Sequence, residues 1–138
     1  MGYTRYYTTN KNLDHFPADF QDDASAIIRT AHEQGIEISG PLGVDAPEVS
    51  VRRVMFNGPV ESATGEDLSY ESFAIDLNAA FDWGFCKTGR QPYDVAVNAI
   101  LRAAKYHGVV STYSADGDNE EDAATALLEA AGCGQRAA

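Results

Sequence analysis

Two helical stripes of apolar residues stand far apart in this chain, and only short strand-type runs lie between them. Phe16, Phe20, Ala24, Ile27, Ile28 and Ala31 recur at spacings of three and four, the pattern of a helix with one buried face. Pro17 suits its first turn, and Gly35 is a natural stop. Val97, Ile100, Leu101 and Ala104 repeat the pattern in a second helix expected from about Pro92 to Gly108. The intervening chain offers IEIS (36–39), VRRVMFNG (51–58) and YESFAIDL (70–77), which read as an antiparallel meander. GPLGVDAPEVS (40–50) reads as irregular, and residues 78–91 stay open: NAAFDWG fits a helical turn or an irregular segment, and FCKT a strand or a loop.

The flanks complete the frame. GYTRYYTT (2–9) favours a strand, with Tyr3, Arg5 and Tyr7 on one side and Tyr6 on the other. VVSTYS (109–114) is a further strand. NEEDAATALLEAAG is a third helix, with Asn119 as N-cap and an apolar face of Ala124, Leu127, Leu128 and Ala131. The expected order is β-α-β-β-β-α-β-α. This is an α+β domain, a mostly antiparallel sheet with about three helices packed on it. One domain spans residues 1–138, with 132–138 expected to fray.

A chain of 138 residues buries roughly two-thirds of its unfolded surface and needs no disulfide or metal to fold. Ten basic residues against 21 acidic ones give a net charge of −11, which argues against binding a long nucleic-acid backbone. A small anion is less disfavoured, because one or two bases in a concave site dominate locally. Cys86 and Cys133 form no zinc spacing and are read as reduced thiols, in keeping with a cytoplasmic location. No run approaches the roughly 18–20 apolar residues of a membrane span, so no membrane partner is expected. His15, His32 and His107 are scattered, and ADGDNEED (115–122) lacks the spacing of a calcium loop, so neither metal nor cofactor is expected.

The segment FCKTGRQPYD (85–94) concentrates unusual chemistry for so acidic a chain. Lys87 offers a point charge and Arg90 a bidentate fork, both suited to phosphate or carboxylate. Thr88 adds a hydroxyl, Gly89 allows close approach, and a helix N-terminus follows. The plain alternative is that Lys87 and Arg90 pair with surface acids, Tyr93 simply packs, and Asp94 serves the helix start. On the first strand, Tyr3 and Tyr7 flanking Arg5 could stack on a planar ring and bind its phosphate. The candidate ligand-binding set is Tyr3, Arg5, Tyr7, Lys87, Thr88, Arg90 and Tyr93, with no catalytic residue assigned.

GYTRYY, RVMFNG, ESFAID and above all FCKTGRQPYDVAVNAILRAAKYH resemble a family of small phage and prophage proteins. Its members look like GYTHYW at the start and FCKTxRKPYDxxV near the middle, often followed by a Ser-Asp-Gly turn that here is STYSADGD. Arg5 stands where members often carry His, and Gln91 where they often carry Lys. The resemblance implies a phage origin and a small cytoplasmic accessory role, and it carries no established reaction.

Three readings follow. The first is a protein that binds and sequesters a small phosphorylated, nucleotide-like ligand; by analogy of class and size, this includes a sponge for an immune signalling nucleotide. The second is an enzyme acting on such a compound through Cys86, Asp94 or His107. The third is an acidic inhibitor of a host protein. A homo-oligomer is compatible with each.

Overall fold

The computed structural model describes residues 2–117 and 121–137, with the side chain of Ala137 excepted. Its elements are β1 (Thr4–Thr9), α1 (Ala18–Glu33), β2 (Glu48–Val49), β3 (Arg53–Phe56), β4 (Phe73–Asp76), β5 (Trp83–Lys87), α2 (Asp94–Tyr106), β6 (Val110–Ala115) and α3 (Glu121–Ala130), followed by a short 3-10 turn, Gly134–Ala137. The α+β class and the expected run of elements are borne out. The segment left open, 78–91, supplies the strand β5.

The strands form two antiparallel sheets of three, ordered β5-β1-β6 and β2-β3-β4. Residues 36–39 are not a strand. They contribute a single bridge, Ser39 to Asn57, and Glu48–Val49 takes the place beside β3. An inward-facing aromatic chain joins the sheets: the Tyr7 and Phe73 ring centroids are 5.4 Å apart, Phe73 and Phe56 5.2 Å, and Phe56 and Tyr93 6.4 Å. Such edge-to-face contacts add to the burial energy of large rings.

α2 is the central helix. Every residue from Ala96 to Ala104 is buried, so the helix is enclosed nearly all round rather than along one stripe. Four alanines among those residues, Ala96, Ala99, Ala103 and Ala104, keep its surface low enough for neighbours to pack against it. α1, α3 and β6 all pack on it. The expected Asn119 N-cap of α3 lies outside the described residues.

The tail expected to fray is docked. Cys133 is buried, and the Arg136 guanidinium donates through Nε to Asp23 Oδ2 of α1 at 2.9 Å while covering the Tyr106 ring at 4.6 Å. His107 Nε2 lies 2.7 Å from the same Asp23 oxygen. Asp23 therefore ties α1, the end of α2 and the C-terminal turn together. No helix among the described residues is long and apolar enough to cross a membrane.

Candidate functional site

The two segments singled out in the sequence are neighbours. β1 and β5 pair with Thr4 opposite Lys87, Arg5 opposite Cys86 and Tyr6 opposite Phe85. Residues directly opposite each other in an antiparallel pair project to the same face, so the register sorts the side chains of the two strands into an inner and an outer set.

The inner set builds structure. Arg5 donates through Nε to Asp94 Oδ1 at 2.7 Å and through Nη2 to Oδ2 at 2.9 Å. The Thr88 hydroxyl donates to the same Oδ1 at 2.7 Å. Arg5, Thr88 and Asp94 are all buried. The negative group that this motif attracts to the N-terminus of α2 is thus its own Asp94. Backbone donors nearby are also engaged: Thr88 N and Gly89 N donate to the Tyr3 carbonyl oxygen, and Gln91 N to that of Thr88. The loop reaches this geometry through two successive left-handed residues, Gly89 at φ +59° and Arg90 at φ +58°. Gly89 adopts that conformation freely, whereas Arg90 does so at a steric cost.

The three tyrosines of the expected stacking set are buried too. Tyr7 donates to the Ala74 carbonyl oxygen at 2.6 Å, and Tyr93 to that of Glu71 at 2.6 Å. Burial pushes both phenols upward in pKa. Tyr3 is covered by the Arg90 guanidinium, 3.9 Å from its ring centroid, with Arg5 5.3 Å away. Of the seven candidates, Lys87 and Arg90 reach the surface, and Arg90 is engaged with Tyr3.

The groups that an enzyme reading would need are committed elsewhere. The Cys86 thiol is pushed up to about 12, first by burial, with the nearby Glu71 and Asp94 charges adding to it. That is the reverse of an activated nucleophile. Asp94 is held by Arg5 and Thr88, and His107 is bound to Asp23 on the far side of α2. These three groups form no shared constellation.

The outer set was missed from sequence, because it places large apolar side chains where a strand is expected to be polar. Trp83 and Phe85 project outward from β5 and are 57% and 50% exposed; Phe81, just before the strand, is 64% exposed. Their rings run in a series, with centroids 5.5 Å apart from Phe81 to Trp83 and 6.0 Å from Trp83 to Phe85. The last two are inclined by only 8°. Tyr6 stands opposite Phe85, its hydroxyl donating to Asp116 Oδ1 at 3.1 Å. Tyr6, Trp83 and Phe85, together with Thr112 and Ser114 of β6, line a groove of about 380 Å³.

Gly84 explains how the rings come to face outward. A Cβ there would lie 2.8 Å from the Tyr7 ring, which occupies the inner side of the strand. The inner positions of β5 therefore hold only Gly84 and Cys86, and the bulk goes to the outer face. Lys87 is the next outward residue after Phe85, and its ammonium has no hydrogen bond or ion pair among the described residues. Comparisons with protein-family models, with curated proteins and with solved structures returned no match.

Proposed function

We propose that the protein binds a small phosphorylated ligand with a planar base, and that it does so on the outer face of the β5-β1-β6 sheet. Trp83, Phe85 and Tyr6 supply the stacking surface, and Lys87 supplies the phosphate contact. The observation that carries this reading is the alternation along β5, which sets Trp83, Phe85 and Lys87 on one face. Two residues along a strand advance about 7 Å, the scale that separates a nucleobase from its 5′-phosphate. Exposed aromatic rings accept any base through its π face, and a single ammonium suits one phosphate.

The proposal keeps the ligand class and Lys87 from the sequence reading and moves the stacking from Tyr3, Tyr7 and Tyr93 to the exposed rings. The role we assign is holding the ligand rather than converting it. The resemblance to phage and prophage proteins adds the setting, an infected cell, and the analogy of class and size adds the role, sequestration of a signalling nucleotide.

Trp83 is the single tryptophan of the chain, so its fluorescence reads the groove directly. Titration with adenosine and guanosine monophosphates is expected to quench it, and Phe85→Ala and Lys87→Ala each to weaken the response. Heat release followed by mass spectrometry is expected to return the nucleotide intact. A folded wild type whose Trp83 emission does not respond would overturn the reading and favour a protein partner for the acidic surface. Recovery of a converted product would replace binding by turnover.

A further inference from the structure

The chain has three lysines, Lys11, Lys87 and Lys105; Lys87 stands on the outer face of β5, and Lys11 and Lys105 line a pocket that adjoins the groove. Arg5, Arg53, Arg102 and Arg136, by contrast, are bound to carboxylates. Lys87 follows Phe85 on the outer face of β5, past the residues that line the groove. At the other end, Lys11 and Lys105 line a polar pocket of about 440 Å³ together with Asn10, Asn12 and Asp82. The pocket and the groove share Thr8, which pairs with Trp83. The Lys11 ammonium donates to the Ala79 carbonyl oxygen, a neutral partner that leaves its charge uncompensated. Two cations there face one carboxylate, that of Asp82.

A ligand lying along β5 therefore meets a cation, two aromatic rings, and a second cationic pocket in that order. Lys87 and Trp83 are four residues apart, about 13 Å along a strand, and the second pocket begins only beyond Trp83. A mononucleotide that stacks on the rings and reaches Lys87 leaves this pocket empty.

Building on the base-stacking reading above, we infer that the ligand carries anionic groups at both ends of its stacked portion, as a short dinucleotide phosphorylated at each terminus does. Lys87 takes one terminal phosphate, and Lys11 with Lys105 takes the other. The acidic remainder of the protein repels longer polyanions, which limits the ligand to what these cations can neutralise.

The test compares AMP, the adenosine dinucleotide pApA, and pApAp, which adds a 3′-phosphate, using Trp83 fluorescence at low salt. We expect pApAp to bind at least about tenfold more tightly than AMP, the ratio that one good charged contact supplies. Lys11→Gln with Lys105→Gln is expected to remove that advantage and leave AMP affinity unchanged. The single variant Lys105→Gln, at an exposed helical position, gives part of the same loss without the Lys11 contact to Ala79 being disturbed. Equal binding of AMP and pApAp, or an advantage that survives both substitutions, overturns the two-ended ligand while leaving the stacking site standing. Binding of none of the three overturns the stacking site and this inference together.

Discussion

Arg5 and Asp94, 89 positions apart in sequence, meet in a two-point ion pair whose side chains are 1% and 2% exposed. The pair joins the central strand of one sheet to the first turn of the central helix. Thr88 adds a third donor to the same carboxylate. An ion pair so buried is held by geometry, since desolvation of both charges offsets much of their attraction.

Removing one partner leaves the other charged and buried. Arg5→Leu is expected to lower stability by about 3–5 kcal/mol, and Asp94→Leu by a similar amount. Arg5→Leu combined with Asp94→Leu is expected to cost clearly less than the two single losses together. Urea unfolding of the four proteins in a double-mutant cycle measures this. Additive losses would show that the two charges do not depend on each other.

The outer rings carry the opposite expectation. Trp83 and Phe85 are half-exposed, so alanine at either position is expected to change stability by no more than about 0.5 kcal/mol. Each is expected to weaken nucleotide binding by about 1–3 kcal/mol, the range for a stacked base. Calorimetry reports binding in both variants without needing the tryptophan. Unfolding by either substitution would make the face a structural surface instead.

Both thiols are expected to be inert in the native protein. Burial pushes Cys86 up to about 12, and burial together with the Asp23 charge and hydrogen bond pushes Cys133 up to about 11. At neutral and mildly alkaline pH neither forms appreciable thiolate. Iodoacetamide is expected to label neither thiol in the folded chain and both after denaturation, as counted by intact mass. Rapid native labelling of Cys86 would reopen the case for a reactive thiol.

Asp23 gives a pH dependence with a definite sign. Burial pushes its carboxyl up, but hydrogen bonds from His107, Arg136 and Cys133 more than offset this, and it titrates below the ordinary aspartate range. A carboxylate depressed in the folded state contributes stability that is full above its unfolded pKa, about 3.9, and lost as pH falls through the folded value. Asp23→Asn is therefore expected to be less stable than wild type at neutral pH, with the gap closing in acid. Urea midpoints measured from neutral pH down to below about 3 test this. A gap of constant size would assign the loss to packing.

Much of the fold was legible because its helices keep a clear period, and β1, β3, β4 and β6 are rich in branched and aromatic residues. β5 was not legible for a physical reason: in WGFCK the small residues Gly84 and Cys86 face inward and the large ones face water. Apolar alternation reports a period but not which side is the core. The same limit shaped the site. The sequence singles out FCKTGRQPYD and GYTRYY as separate segments, and β1 and β5 lie side by side. Composition alone could not tell that Arg5 and Thr88 already hold a carboxylate from the same chain. The tail from 132 looked too small and Gly-rich to dock, yet Arg136 and Cys133 both reach Asp23.

The place of β1 also governs the order in which the chain can assemble. β1 is the middle strand of its sheet, and both of its neighbours follow it at a distance in the sequence, at 83–87 and 110–115. It has no strand partner until residues 83–87 have been made. Loop closure over such separations must come before any pairing repays it, which slows folding relative to a sheet built from adjacent hairpins. Nascent β1, with Tyr6 and Tyr7, thus waits unpaired until those later strands are made, and the aromatic face is completed only after them.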